Sequence, residues 1–156
     1  MSEQINREKR ILSKIDLNKL PFKISPNNFF KIYEKMFQNI KPLFKYKEGE
    51  YALKWCLSTN KRMRVFLIIF EANEEGYEVY KESVANNLPE FSYKTVAQII
   101  DDGMKKGYYL QMVPRAKKQT DLKIRNIRPS ENLVTEFINW NIDLIATAAT
   151  FSKKYQ

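Results

Sequence analysis

The sequence contains no histidine and only one cysteine, Cys56. The lack of histidine removes the usual general base and the commonest metal ligand, and it excludes a histidine-dependent catalytic triad. A single cysteine cannot form an intramolecular disulfide, and without histidine it cannot complete a zinc site of cysteine and histidine ligands. We therefore expect a protein that is not an enzyme, holds no metal or cofactor and resides in a reducing compartment.

Long apolar segments are also missing. The longest apolar run, Val65–Phe70, is too short to span a bilayer. Met1–Arg10 is not followed by the apolar region that a secretory signal requires. These two features predict a cytoplasmic protein with no membrane-embedded part.

Glycine and proline are scarce, at 4 and 6 of 156 residues, and this scarcity favours long helices. Hydrophobic residues make up 44% and charged residues 29%, which is the composition of an ordinary folded domain. The net charge is +9, and such a basic excess indicates association with a polyanion rather than a particular fold. The excess lies in residues 1–64 and in residues 114–128, where six cations accompany a single acid, Asp121.

The spacing of apolar residues predicts helices in the first half of the chain. Residues 1–26 are interpreted as a loose, basic N-terminal arm with one short helix around Glu8–Leu17. Amphipathic spacing then predicts helices over Asn27–Leu43 and about Glu50–Thr59. Lys61–Ala72 contains six consecutive apolar residues, a pattern shared by buried strands and buried helices. We favour a helix that is buried on every side.

The next segment predicts two helices joined by a short turn. Val79–Asn87 is predicted to be a short helix, and Leu88–Phe91 is predicted to be the turn. Ser92 is a suitable N-cap, because its hydroxyl accepts a hydrogen bond from an otherwise unpaired backbone N–H. The helix that follows is predicted from Tyr93 to about Lys106. Its inward stripe is Val96, Ile99, Ile100 and Met104.

A basic hairpin is predicted after these two helices. Tyr108–Val113 and Leu122–Ile127 are rich in β-branched, aromatic and alternating residues, which favours two antiparallel strands. Their connection, Pro114–Asp121, is polar and cationic. Two helices followed by a basic hairpin are typical of a winged helix-turn-helix protein that binds nucleic acid.

Pro129 and Ser130 then precede a long predicted helix, which runs from Glu131 to about Phe151. Its apolar residues occupy more than one face. Such a helix needs two partners, and we expect one of them to be another subunit. The predicted fold is therefore mainly α with a small β-hairpin wing, flanked by N- and C-terminal dimerisation helices.

The predicted order of elements assigns DNA contacts to two groups of residues. The first turns of the second helix are expected in the major groove, and the wing is expected on the backbone or in the minor groove. For any one residue an ordinary polar surface is the simpler interpretation, but the combination of cap, helix and basic hairpin favours DNA binding. The candidates are Ser92, Tyr93, Lys94, Thr95 and Gln98 on the helix and Arg115, Lys117, Lys118 and Lys123 on the wing.

Two other groups of residues could suggest catalytic or redox chemistry. Asp101 and Asp102 are adjacent on a predicted helix and point about 100° apart, so they do not converge as a catalytic pair. A solvated face or a salt bridge to Lys105 is the expected role. Cys56 lies beside Trp55, and a buried small hydrophobe is a simpler interpretation than a redox switch.

The segment from about Arg64 to Phe151 resembles the MarR family of bacterial transcription regulators. The resemblance covers the first helix of the motif, the second helix, the wing and the entry to the last helix. The matching residues are Val84-Ala85, Ser92, Thr95-Val96, Ile99-Ile100-Asp101, Lys105-Lys106-Gly107-Tyr108, Asp121-Leu122-Lys123 and Ile127-Arg128-Pro129-Ser130. The sequence departs from the family at Gly103, where a leucine is usual, at Pro89 in the turn, and at Leu122, where an arginine is common.

The resemblance implies a homodimer that binds a pseudo-palindromic operator in double-stranded DNA. It also implies a small-molecule effector, although no residue identifies that ligand. The chain would then consist of a basic arm, 1–26, and a single winged-helix domain, 27–156. Within that domain, 61–128 would form the DNA-binding core, and 27–60 and 129–156 would form the helical dimerisation region.

Two alternatives stay open from the sequence alone. The basic N-terminal region also suits a DNA-binding replication or chromosome-organising accessory protein without sequence specificity. A winged-helix domain that binds another protein is the second alternative. Charge reversal at Lys117 and Lys118 would leave the function of such a protein-binding domain unchanged.

Overall fold

The structure, a computed structural model, describes residues 2–45, 51–112 and 126–155. It is mainly helical with one small antiparallel hairpin, as the sequence predicts. The helices are α1 (Ser2–Leu12), α2 (Phe29–Ile40), α3 (Tyr51–Leu57), α4 (Asn60–Glu75), α5 (Lys81–Asn86), α6 (Tyr93–Lys105) and α7 (Glu131–Tyr155), and the strands are β1 (Tyr109–Met112) and β2 (Asn126–Pro129). Short 3₁₀ turns occupy Leu17–Lys19, Pro26–Asn28 and Lys41–Phe44.

The chain forms two compact units. One comprises residues 1–45 together with 140–156, and we call it the terminal unit. The other comprises residues 46–139, and we call it the central unit. The functional division into arm, DNA-binding core and dimerisation region stays a prediction.

The core of the central unit forms around α4. Val65, Phe66 and Ile69 are fully buried, and the ring of Phe66 lies 5.3 Å from that of Phe137 on α7. Lys61–Ala72 is thus helical, but the expectation that this helix is buried on every side is wrong. Leu67 is 50% exposed, because the buried residues occupy only one broad face of the helix.

Residues with a defined capping role set the ends of α4. Thr59 Oγ1 accepts a hydrogen bond from the backbone N–H of Arg62 at 3.1 Å. Gly76 ends the helix in the left-handed conformation, with φ of 79°, and its N–H donates to the carbonyl of Ala72. The helix therefore continues through Glu75, beyond the predicted end at Ala72.

The hairpin is present, with a shifted second strand. Tyr109 pairs with Pro129 and Met112 pairs with Asn126. β2 therefore extends two residues beyond the predicted end at Ile127, because the carbonyl of Tyr108 continues the pairing by accepting from the N–H of Ser130. The predicted strand residues 122–125, like the whole basic tip, lie outside the described residues.

A third segment lies beside β2 and was not predicted. The N–H of Ile127 donates to the carbonyl of Val79 at 2.8 Å. The N–H of Val79 in turn donates to Oδ1 of Asn126 at 3.1 Å, and this asparagine is buried. The residues just before α5 are therefore joined to the hairpin, although they lie 47 positions away in the sequence.

In the terminal unit, the first helix begins earlier than predicted. α1 covers Ser2–Leu12 instead of Glu8–Leu17. The predicted end is wrong because Oδ1 of Asp16 accepts from the N–H of Asn18 at 3.0 Å and starts a separate 3₁₀ turn. Such local side-chain hydrogen bonds compete with helix continuation.

Helix α7 begins at Glu131, as predicted, and continues to Tyr155, four residues past the expected end. Ser130 caps it by accepting from the N–H of Leu133 at 3.2 Å. In the terminal unit, Trp140 Nε1 donates to the carbonyl of Leu43 at 3.0 Å. Among the described residues, no helix is both long enough and apolar enough to cross a membrane.

Candidate nucleic-acid interface

The first turn of α6 is capped and open to solvent. Ser92 Oγ accepts from the N–H of Thr95 at 3.1 Å and lies 2.9 Å from Thr95 Oγ1. Ser92, Tyr93 and Lys94 are exposed, whereas Thr95 is half-buried. The first N–H groups of a helix have no intrahelical acceptor, so this turn presents donors and the positive end of the helix dipole to solvent.

The opposite face of α6 fixes the helix on its neighbours. α6 packs on α4, α5 and β1. Val96 and Ile100 are fully buried and Ile99 is 9% exposed, as the predicted inward stripe requires. Met104 is only half-buried, so its assignment to the buried stripe is wrong. Gly103 takes the buried position in that turn.

Gly103 marks a close approach between α6, α3 and β1. A Cβ atom at this position would lie 2.3 Å from Cδ2 of Tyr109 and 3.4 Å from Cζ3 of Trp55. The ring of Tyr109 therefore occupies the space that a side chain on α6 would need. The departure at Gly103 reflects this tight packing, because any larger residue would displace the aromatic ring beneath the helix.

Cys56 lies in the same buried cluster. It has no exposed surface, and its Sγ atom lies 3.6 Å from the hydroxyl of Tyr109. Burial raises the pKa of the thiol to about 11, so little thiolate exists at neutral pH. Burial also raises the pKa of Tyr109 well above its ordinary value. This environment supports the interpretation of Cys56 as a packed core residue.

The adjacent carboxylates on α6 have separate partners. Asp101 Oδ1 lies 2.6 Å from Nζ of Lys81 on α5, so the expected salt bridge to Lys105 is replaced by one between helices. Asp102 Oδ1 accepts from Nε2 of Gln98 at 2.8 Å. The two acids therefore do not converge on one point. The side chain of Gln98 stays exposed although its amide is hydrogen-bonded to Asp102.

Cations at the start of α4 lie beside the turn that precedes α6. Arg64 forms a salt bridge with Glu90, and its guanidinium lies 5.5 Å from the ring centre of Phe91. Nζ of Lys61 lies 5.8 Å from the same ring, and Lys61 is exposed. Lys61 was not among the DNA-binding residues predicted from the sequence, although the basic run KRMR at the start of this helix indicates a positively charged surface.

Arg62, in the same run, has a structural role. Its guanidinium carbon lies 4.5 Å from the ring centre of Trp55, and Nη1 donates to Ser58 Oγ at 2.9 Å. An arginine stacked on tryptophan is held in place by a cation–π contact and by its own hydrogen bonds. All three neighbouring cations of this helix contact an aromatic ring, but only the two arginines also bind a polar side chain, while Lys61 stays exposed.

The described part of the hairpin is its base. The predicted DNA-binding residues of its tip, Arg115, Lys117, Lys118 and Lys123, lie outside the described residues. The base of the hairpin is well anchored, because Asn126 binds Val79 and Nη1 of Arg128 donates to Asn73 Oδ1 at 3.0 Å. The described base of the hairpin is therefore hydrogen-bonded both to the segment before α5 and to α4.

Exposed apolar side chains follow one face of α7. Ile138, Ile142 and Ile145 are 50%, 56% and 67% exposed and occupy positions i, i+4 and i+7. This spacing places them on one side of the helix. α7 thus carries an apolar stripe that faces solvent in the single chain.

Comparisons of the chain with protein-family models, with curated proteins and with solved structures found no match. The resemblance to MarR regulators therefore rests on the residues quoted above. Among the residues that the structure describes, no three cysteine, aspartate or glutamate side chains are grouped so as to hold a metal ion. The exposed groups near the start of α6 offer hydrogen-bond donors and positive charge.

Proposed function

We propose that the protein is a homodimeric, sequence-specific DNA-binding transcription regulator of the MarR type. α5, the turn at Leu88–Phe91 and α6 form its helix-turn-helix, and α6 enters the major groove. The hairpin is the wing, and its tip contacts the phosphate backbone or the minor groove. The observation that carries this proposal is a capped helix whose first turn is exposed while its opposite face is buried against three other elements.

The chemistry of the exposed face supports recognition of a duplex. Ser92 and Tyr93 offer hydroxyl groups, and Lys94 offers a charge near the helix N-terminus, where phosphate binds favourably. Gln98 lies on the same exposed side, and its amide offers a donor and an acceptor to an adenine edge. Because Asp102 accepts one amide hydrogen of Gln98, it restricts the orientation in which that amide meets a base.

Positive charge outside α6 supports contacts with the phosphate backbone of DNA. Lys61 extends the basic surface beside the turn before α6, and the tip at 114–123 carries Arg115, Lys117, Lys118 and Lys123. Phosphate contacts supply affinity and register but carry no direct sequence information. We therefore assign specificity to α6 and salt-dependent affinity to the wing and to Lys61.

The apolar stripe on α7 supports a homodimer. Isoleucines that are half exposed or more at helical spacing become buried when the same face of a second copy packs against them. We expect sedimentation at micromolar concentration to show a dimer. Ile142→Glu should shift it to the monomer, because a charge would be placed in an apolar interface. Asn132→Glu, at an exposed position of the same helix about 120° around from Ile138, is the control and should remain dimeric.

The proposed function is tested by selecting bound duplexes from a random library at physiological salt and sequencing them. An enriched inverted repeat with half-sites about one helical turn apart supports a dimeric regulator. Retention without enrichment contradicts sequence specificity and favours the chromosome-organising alternative. Absence of retention contradicts DNA binding altogether and favours a protein-binding domain.

Two substitutions separate the assigned roles. Gln98→Ala should alter the preferred sequence and cost about 1–3 kcal/mol at one base step. Lys118→Ala should weaken binding to all sequences and lower the slope of affinity against salt by about one unit. Lys153→Ala, an exposed lysine near the end of α7, is the control and should change neither property. Identical behaviour of the first two variants would show that the division of roles is wrong.

A further inference from the structure

Gln98 and Asp102 are joined on the solvent-facing side of α6. Nε2 of Gln98 donates to Oδ1 of Asp102 at 2.8 Å, and the two residues lie four positions apart, so they are neighbours on the helix surface. A carboxylate only accepts hydrogen bonds, so the amide atom that faces Asp102 must be the nitrogen. The carbonyl oxygen of Gln98 is therefore the amide atom that Asp102 leaves available to another partner.

The neighbouring carboxylate has a different role. Asp101 Oδ1 lies 2.6 Å from Nζ of Lys81, so a cation on α5 holds Asp101 and balances its charge. Asp102 is half-exposed and brings its negative charge beside Gln98. Lys94, four residues before Gln98, is exposed as well. This side of α6 therefore carries a cation in the first turn and two acceptor groups in the turns that follow.

We propose that Asp102 positions the amide of Gln98 so that its oxygen reads the exocyclic amino group of a base, N6 of adenine or N4 of cytosine. This inference rests on the proposed DNA binding and adds which atom of Gln98 makes the contact. An amino group donates, so it matches an acceptor that is held beside a negative charge. The acceptor atoms of guanine and thymine would instead face the oxygens of Gln98 and Asp102, and like charges repel.

The first test removes single groups from the base. Library selection with the unchanged protein and with Gln98→Ala identifies the base pair at which Gln98 acts. At that pair, purine in place of adenine, or 2-pyrimidinone in place of cytosine, deletes the amino group. This deletion should weaken binding of the unchanged protein about tenfold and should not weaken binding of Gln98→Ala further. The 7-deaza purine at the same pair lacks the N7 acceptor and should weaken binding less.

Asp102→Asn tests the positioning role. Asparagine both donates and accepts, so the amide of Gln98 can turn over while the shape of side chain 102 is kept. Preference at the Gln98 base pair should fall at least about fivefold, whereas affinity for all sequences should rise because a negative charge is lost. Glu82→Gln, which removes an exposed carboxylate from α5, is the control and should raise affinity without changing the preference. Combined with Gln98→Ala, Asp102→Asn should no longer change the preference.

The possible outcomes separate the inference from the proposed function. Absence of an enriched operator contradicts the sequence-specific regulator and the role of Asp102 together. An enriched operator that tolerates loss of the amino group, or that loses more affinity with the 7-deaza purine, overturns the role of the Gln98 oxygen alone. A change in base preference that Asp102→Asn still causes beside Gln98→Ala would show that Asp102 does not act through Gln98.

Discussion

Replacing Gly103 with alanine should destabilise the protein, although alanine is the better helix former. The added Cβ would lie 2.3 Å from Cδ2 and 2.7 Å from Cε2 of Tyr109. That ring cannot easily move, because Tyr109 is 1% exposed and its hydroxyl lies 3.6 Å from Cys56 Sγ. We therefore expect the added methyl group to lower the free energy of unfolding by about 3 kcal/mol, the upper end of the usual range for overpacking a core. The helix preference for alanine offsets about 1 kcal/mol, which leaves a net loss of about 2 kcal/mol.

Thermal and urea unfolding measure this loss. A net cost of about 2 kcal/mol corresponds to a decrease of about 4–8 °C in Tm for a chain of this size. Gly107→Ala is the matched control, because Gly107 has φ of 78° but no atom within 4 Å of the added Cβ. Gly107→Ala should lower the free energy of unfolding by about 1–2 kcal/mol, because alanine is strained in the left-handed backbone conformation.

A double-mutant cycle then separates steric cost from other effects. Tyr109→Leu removes the ring that the new methyl group would strike, so the cost of Gly103→Ala should largely disappear in that background. A Gly103→Ala protein as stable as the original, or an unchanged cost beside Leu at position 109, would refute the packing argument. The cycle isolates the pairwise term because the two residues are in direct contact.

Two further predictions concern buried groups. Asn126→Ala should cost about 1–3 kcal/mol in urea unfolding, because the buried N–H of Val79 loses its acceptor. Asn87→Ala, at an exposed asparagine, should cost less. Cys56 should resist iodoacetamide in the folded protein at neutral pH and react at once after unfolding. Since burial raises its folded pKa from 9.0 to about 11, the unfolded state releases the proton first. The free energy of unfolding should then fall as pH rises from about 9 toward 11. Rapid native alkylation or a flat profile, relative to a Cys56→Ala protein, would contradict this environment.

Local sequence patterns predicted much of the fold because their causes lie within a few residues. Ser92 was identified as a cap from its type and position, and its hydroxyl accepts from Thr95 three residues later. The apolar spacing of Val96, Ile99 and Ile100 defined the buried face of α6, since helix geometry places these positions together. Asp16 shows the limit, because α1 ends at Leu12 and Asp16 Oδ1 accepts from the N–H of Asn18 in a separate turn that apolar spacing did not predict.

Only the tertiary structure decided which distant groups meet. The pairing of Asp101 with Lys81, the clash that keeps position 103 a glycine, and the bond between Asn126 and Val79 all join separate elements. No periodicity encodes such contacts, because they depend on how whole helices and strands pack. The sequence by itself determined a helical protein with a capped helix and a basic hairpin. The tertiary structure decided which side chains of that helix stay exposed and which are held by neighbours, because burial and pairing are properties of the assembled chain.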